Sequence, residues 1–280
     1  MENRILREFI LKSLAEDIGD GDHSSLACIP AESKGKARLL IKEKGILAGI
    51  RVADELFSVI DENLKFDKIL EDGTRVFPGD VAFYISGHQQ SILKSERLVL
   101  NIMQRMSGIA TSTNEYTTIL KGFKTRILDT RKTTPGFRFL EKEAVSIGGG
   151  WNHRMGLYDM ILLKDNHIDY AGGIEKAIKK TSEYLKKNKL KLKVEVEARS
   201  IEDVRKILSI GGIDRIMLDN FSIEDTLLAV KEISGRYETE SSGGIDLSTI
   251  RAYAECGVDY ISVGALTHHV KSLDMSLKAM

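Results

Sequence analysis

Cysteine, proline and tryptophan are all scarce in this 280-residue chain, with two, three and one respectively. Cys28 and Cys256 lie far apart in unrelated contexts. Two thiols cannot build a disulfide framework or a tetrahedral zinc site, so the expectation is a pair of reduced cysteines in a cytoplasmic setting. No run of about 18 apolar residues occurs, which excludes a transmembrane helix. The opening MENRILREFILKSLAED is amphipathic and mixed in charge, and it lacks the apolar stretch and small-residue cleavage site of a signal peptide. Net charge is missing too. The 41 Lys+Arg balance 41 Asp+Glu, which argues against nucleic acid as the main partner. No internal repeat or low-complexity linker appears. The remainder, 42% hydrophobic and 29% charged, is ordinary for a globular protein of one large or two smaller domains.

The two halves read differently. In the second, apolar runs RILDT (126–130), MILLKD (160–165), KVEVEA (193–198), RIMLDN (215–220), YETESS (237–242) and YISVGA (260–265) alternate with amphipathic stretches. Two of these, IEDVRKILSIGG and SIEDTLLAVKEISG, end in glycine as helices often do. Strand and helix in alternation imply βα units and a parallel sheet. Six or seven units suggest a barrel; a doubly wound open sheet is disfavoured because no GxGxxG follows the first strand. The basic run KKTSEYLKKNKLKLK (179–193) reads as the wet side of a helix and the turn after it. The first half is less regular. SKGKARLLIKEKGILAGI and EDGTRVFPGDVAFYISGH each look like a hairpin. RVADELFSVI and the segment from residue 95 look helical, the latter with an apolar stripe through Val99, Ile102, Met103, Met106, Ile109 and Ala110. The expected fold is an α/β barrel over 111–267 preceded by an α+β sandwich domain over 1–110, to which a tail, 268–280, returns.

Cations gather between positions 131 and 164: Arg131, Lys132, Arg138, His153, Arg154 and Lys164. Gly148, Gly149 and Gly150 punctuate the cluster, and the pattern suits a small polyanion. Polar residues also recur where strands end. Lys132, Lys164 with Asp165, Glu197, Asp219, Ser242-Gly243-Gly244 and Gly264 follow six successive strands, and the last three steps are 22, 23 and 22 residues. In a βα barrel these positions converge on the C-terminal rim, where barrel enzymes place their active sites. Arginine matches a carboxylate or phosphate bidentately and lysine adds a point charge. Glu197 and Asp219 would repel an anionic ligand unless a hard cation such as Mg²⁺ lay between. The glycine-containing turns allow close approach of backbone N–H groups to a phosphate. His153, beside Arg154, is a candidate ligand; His167 reads as structural, and Trp151 either stacks or packs.

At these residues the chain becomes recognisable. TRKTTPG, GGGWNHRMGL, LLKDNHI, VEVEA, LDNF, SSGGI and VGALTH, in this order, resemble quinolinate phosphoribosyltransferase, also called nicotinate-nucleotide pyrophosphorylase (carboxylating). AEDIGDGDHSS, KGILAGI, EDGTRVFPGD and NIMQRMSGIATST are similar to the family's N-terminal pattern. The resemblance implies transfer of phosphoribose from phosphoribosyl pyrophosphate to quinolinate with Mg²⁺ and decarboxylation. It also implies an incomplete barrel and a head-to-tail homodimer. By motif, Arg131, His153, Arg154 and Lys164 would hold the quinolinate carboxylates. Lys132, Glu197 and Asp219 would serve the pyrophosphate compound and its metal, with Thr130 alongside. Ser242, Gly243, Gly244, Val263, Gly264 and Ala265 would take the 5′-phosphate, and Arg105 would enter the partner's site. A paralogue tied to molybdenum transport, a nicotinate-using transferase and a non-catalytic sugar-phosphate sensor are the alternatives. The intact TRKTTPG and NHR motifs, the number of cations and the retained Glu197 and Asp219 weigh against them respectively.

Overall fold

The computed structural model describes residues 2–280 and divides into two compact units. The first comprises residues up to Asn114, Pro135–Gly149 and His269–Met280; the second comprises Glu115–Thr134 and Gly150–His268.

The second unit is built on six parallel strands: Arg126–Leu128, Ile161–Leu163, Val194–Ala198, Arg215–Asp219, Glu238–Ser242 and Tyr260–Ser262. Each lies within the run read from the sequence. Neighbours in the chain pair in space from the second strand to the sixth, and the sixth pairs with the first, Ile261 opposite Ile127. A first strand beside the last is the connectivity of a barrel, and it rules out the doubly wound sheet. Trp151 adds a single parallel bridge to Leu128 on the open side of the first strand. Among the described residues no pairing joins it to the second strand, so the barrel is incomplete.

Local chemistry sets the helices between strands. Ser200 caps Ile201–Ile210 by accepting the Asp203 N–H, and Ser222 caps Ile223–Ile233 by accepting that of Asp225. Each first turn carries two acids, which suit the positive end of a helix dipole. Ile201, Val204 and Ile207 form the buried face of the first of these helices. In the strands, the period of two sends Val194, Val196 and Ala198 to one face and Glu195 and Glu197 to the other. Lysines of the 179–193 run stand exposed on the helix Ile174–Asn188 and just beyond it.

The first unit carries a four-stranded antiparallel sheet in the order Met275–Ala279, Lys34–Ile41, Val81–His88, Lys65–Lys68. Phe57, on the helix Ile50–Ile60, packs its ring 5.6 Å from Phe83 and 5.8 Å from Phe66. The stripe of the helix Gln89–Ile119, from Val99 to Ala110, is buried as its spacing requires. Neither expected hairpin forms. Lys34–Ile41 pairs instead with Val81–His88 and Met275–Ala279, while Gly45–Ile46 pairs with Arg75–Val76. Alternation shows that a segment is a strand but does not say which strand it meets.

The segment 135–149, which the sequence division put with the barrel, clusters with the first unit. Its helix Arg138–Ile147 buries Leu140, Ala144 and Val145 and ends against the long helix. A Cβ on Gly148 would lie 2.5 Å from the Ala110 carbonyl oxygen and 2.7 Å from Thr113 Cβ. Gly148, which punctuates the cationic cluster in the sequence, is therefore a packing glycine.

Candidate active site

The rim at the C-terminal ends of the strands encloses a cleft of about 770 Å³. Thr130, Arg131, Lys132, His153, Arg154, Lys164, Asp219, Ser242–Gly244 and Val263–Ala265 all line it. Glu197 stands just behind this lining. The sequence reading missed Asn220, Glu240, Asp246, Ser262 and His268, which also face the cleft.

The loop after the first strand is held from both sides. Lys132 N–H donates to Thr130 Oγ1 at 3.1 Å, and the Lys132 carbonyl accepts from Thr267 Oγ1 at 2.8 Å. A Cβ on Gly264 would lie 3.0 Å from Lys132 Cδ, so the turn after the sixth strand must be small for the lysine to lie across it. Arg131 has a buried Nε with no hydrogen-bond partner among the described residues. Arg154 donates from Nη1 to the Met160 carbonyl at 3.3 Å. Burial, and after it the Arg131 charge, hold the Arg154 guanidinium below its ordinary pKa. Two half-buried like charges with a donor unspent are a standing demand for an anion.

Glu197 and Asp219 end the third and fourth strands. Glu197 Oε1 accepts the Asp165 N–H at 3.2 Å, and Lys164 Nζ lies 4.0 Å from its Oε2. Burial raises the Glu197 pKa, and the neighbouring Asp219 charge adds to the rise. Asp219 Oδ2 accepts from Asn220 Nδ2 at 2.7 Å. Each carboxylate thus keeps one oxygen without a hydrogen bond. Two neighbouring hard oxygen donors, one of them raised by the other's charge, fit Mg²⁺. Asn220 holds a left-handed backbone at φ +55° and gives its N–H to the Ser242 carbonyl at 2.8 Å. A Cβ on Gly243 would lie 2.2 Å from Asn220 Oδ1, so glycine is required where the fifth-strand turn meets the residue orienting Asp219.

Beneath the rim lies a buried ionic network that strand-end reasoning did not find. His153 Nε2 is 2.9 Å from Glu195 Oε2 and 3.5 Å from Glu240 Oε2. Arg215 Nη1 reaches Glu240 Oε2 at 2.8 Å. The signal was present, because Glu195, Arg215 and Glu240 all fall on the inward period-two face of VEVEA, RIMLD and ETESS. Burial lowers the His153 pKa, and its bonds to the two carboxylates more than offset this, lifting it to about 9. Nδ1, the only ring position left for that proton, already accepts the Arg154 N–H at 2.7 Å. Glu195 shares the strain of the cluster, its carboxyl pushed up to about 7 by burial and then by the Glu240 charge. The three side chains have the composition of a metal triad, with donor atoms within 4.8 Å of one another. Arg215 already supplies the cation there.

Other sequence candidates lie elsewhere. Arg138 sits in the first unit. His167 Nδ1 accepts the Lys164 N–H at 3.0 Å, a helix-capping role. Trp151 stacks beneath Arg126, whose Cζ is 3.8 Å from the ring centroid. Arg105, in the first unit, donates from Nε and Nη2 to Glu141 Oε1 at 2.8 and 2.6 Å. Among the described residues no helix is long and apolar enough to cross a membrane.

Comparison with known proteins gives the family. The signature of quinolinate phosphoribosyl transferase, C-terminal domain, matches residues 109–278, and that of the N-terminal domain matches 22–107. The chain is 46% identical to quinolinate phosphoribosyltransferase (decarboxylating) 2b, mitochondrial, of Nicotiana tabacum, over 98% of this chain and 82% of that protein. It is 42% identical to the probable nicotinate-nucleotide pyrophosphorylase (carboxylating) of Bacillus subtilis, over 98% and 92%. The crystal structure of NadC from Streptococcus pyogenes superimposes with a TM-score of 0.92 at 40% identity, covering 97% of this chain and 94% of that one. With both halves matched and relatives aligned over nearly the whole length, this chain belongs to the quinolinate phosphoribosyltransferase family.

Proposed function

We propose that this protein is a pentosyltransferase of NAD biosynthesis. It moves the phosphoribosyl group of phosphoribosyl pyrophosphate onto the ring nitrogen of quinolinate, releasing pyrophosphate and CO₂ and leaving nicotinate mononucleotide. The observation that carries this is the cleft itself. Arg131 and Arg154 crowd their charges on one side, Lys164 stands beside Glu197, Asp219 follows, and glycine turns close the far side.

In this reading Arg131, Arg154 and Lys164 take the two adjacent carboxylates of quinolinate, with His153 at their base. The Ser242–Gly244 and Val263–Ala265 turns take the 5′-phosphate. Glu197 and Asp219 would hold Mg²⁺, which when bound neutralises charge on the pyrophosphate. Lys132 adds a cation on the same side. The ribose C1–oxygen bond breaks with its electron pair on pyrophosphate, and the pyridine nitrogen's lone pair forms the new C1–N bond. The alkylated ring then accepts the electron pair from the C2–carboxylate bond as CO₂ leaves, and C2 is protonated. A pyridine nitrogen is a weak nucleophile, so orientation by the carboxylate clamps matters more than base catalysis.

The same reading includes a two-fold homodimer in which Arg105 enters the partner's cleft. It is supported by the match of QRMSGIAT to the family. A cytoplasmic setting is supported by the unpaired Cys28 and Cys256; the plant relatives are named for mitochondrion or chloroplast.

The test is an assay of the purified protein with quinolinate, phosphoribosyl pyrophosphate and Mg²⁺, following nicotinate mononucleotide. Nicotinate lacks the 2-carboxylate and would leave a half-buried guanidinium unpaired, a loss of about 1.5–3 kcal/mol, so its kcat/KM falls at least tenfold below that of quinolinate. No product from quinolinate, or equal kcat/KM for the two acids, overturns the assignment.

A further inference from the structure

Thr267 lies in the short helix Ala265–His268, just past the Val263–Ala265 turn. It is fully buried and stands behind the cleft lining. A threonine hydroxyl has one proton to give. Oγ1 is 2.8 Å from the Lys132 carbonyl and 3.3 Å from the Gly264 carbonyl of its own turn, so the proton goes to Lys132. The Gly264 carbonyl is already served by the N–H groups of Thr267 at 3.1 Å and His268 at 3.3 Å. Among the described residues no other group donates to the Lys132 carbonyl. The Lys132 side chain lies across Gly264, where a Cβ would come within 3.0 Å of its Cδ, and goes on to line the cleft. One buried hydroxyl thus joins the backbone of the lysine to the turn over which its side chain runs.

We propose that Thr267 is a positioning residue for phosphoribosyl transfer: it ties the Lys132 loop to the turn that takes the 5′-phosphate, so that both ends of one substrate are gripped at a fixed separation. This rests on the reading of the cleft as the phosphoribosyl pyrophosphate site. The bonds from Lys132 N–H to Thr130 Oγ1 and from Thr133 N–H to the Arg131 carbonyl shape the loop from within. The Thr267 bond sets the loop's distance from the turn. Lys132 meets the negative charge that grows on pyrophosphate as the C1–oxygen bond breaks. A displaced ammonium loses more of that attraction in the transition state than in the bound substrate, so the cost of a slack loop falls mainly on kcat.

Two substitutions at Thr267 separate positioning from packing. Thr267→Val keeps the shape and loses the hydroxyl; Thr267→Ser keeps the hydroxyl and loses a buried methyl. For Val, kcat is expected to fall about 10–100-fold, the effect of a small misplacement of a catalytic group. For Ser, kcat stays within about twofold, because the donor is kept, while the melting temperature drops by about 2–4 °C. Calorimetric titration with pyrophosphate and Mg²⁺ then asks whether Thr267 acts through the lysine. Thr267→Val and Lys132→Met each weaken that binding, by about tenfold for the lysine, the scale of one charge-assisted hydrogen bond. The double variant binds no worse than Lys132→Met alone. Additive losses in the cycle, a Ser variant with the kcat of Val, or a Val variant with unchanged kcat overturns the proposal. If Thr267→Val does not fold, Thr267→Ala takes its place in the same cycle. An unmodified protein that binds no pyrophosphate overturns the functional reading and this proposal with it. Binding that Lys132→Met weakens and Thr267→Val does not overturns this proposal alone.

Discussion

Gly243→Ala is the sharpest test of how the rim is built. Gly243 has φ +100°, and its missing Cβ would sit 2.2 Å from Asn220 Oδ1, 2.6 Å from Cγ and 2.9 Å from the backbone nitrogen. Two costs add. A left-handed backbone disfavours alanine by roughly 1–2 kcal/mol. Overpacking against a side chain that is itself hydrogen-bonded adds about 1–3 kcal/mol. Together they imply a fall in melting temperature of roughly 5–20 °C. Because Asn220 Nδ2 holds Asp219 Oδ2 at 2.7 Å, any displacement of Asn220 is passed to the carboxylate, and affinity for Mg²⁺-bound phosphoribosyl pyrophosphate falls with stability. Asn220→Gly removes the two nearest clashing atoms and leaves only the backbone nitrogen. The double variant should recover much of the melting temperature without recovering that affinity. Thermal unfolding by circular dichroism and calorimetric titration measure both quantities. A Gly243→Ala protein with unchanged stability and affinity, or a double-mutant cycle with no coupling, would refute the steric argument.

Arg105→Ala should cost about 3 kcal/mol, because Glu141 is fully buried and loses a charged partner. An Arg105 that served only the partner's cleft would make this truncation silent for folding. A urea midpoint equal to that of the unmodified protein would restore that view. Asn220→Ala frees Asp219 and should raise the Mg²⁺ concentration for half-maximal activity about tenfold while leaving quinolinate affinity unchanged; a parallel loss of quinolinate binding contradicts the assignment. Asp61 is held well below the usual carboxylate range, first by its 2.8 Å hydrogen bond with His88, against the opposing effect of burial. A pKa lower in the folded than in the unfolded chain contributes stability above the ordinary carboxylate range and loses it as pH falls through and below that range. His88→Ala should therefore flatten the acid limb of urea midpoints measured from pH 7 to 3, and an unchanged acid limb would count against the pair.

The barrel was legible because each parallel strand is a short apolar run bounded by turn residues, and because a polar residue recurs just where each strand ends. Those terminal positions, from Thr130 to Gly264, form the cleft. What stayed hidden has specific causes. Glu195 and Glu240 sit within their strands and Arg215 at the start of its own, and a charge there reads as solvent-facing until the sheet is known to curl inward. Lys34–Ile41 pairs with Met275–Ala279, more than 230 positions away, a partner that no local alternation can announce. Gly148 sat in a glycine run beside cations and read as part of a polyanion site; its packing role became visible only with the Ala110 carbonyl against it. Arg105 is uninformative in sequence for the opposite reason, since a helical arginine looks alike whether it meets water, Glu141 or a second subunit.

The pairing of Lys34–Ile41 with Met275–Ala279 also orders events during synthesis. The first unit begins near the start of the chain, but its sheet lacks one edge until residues 275–279 are made. The barrel waits almost as long, because its first strand meets its neighbour only when Tyr260–Ser262 appears. Neither unit can close its sheet while most of the chain is being translated. Throughout that time the alternately apolar strand Lys34–Ile41 presents an unpaired edge of the kind that recruits other chains. A ribosome stalled anywhere before residue 275 would release a protein with that edge still open. Chaperone demand should therefore follow how soon Met275–Ala279 are translated more closely than it follows the stability of the finished fold.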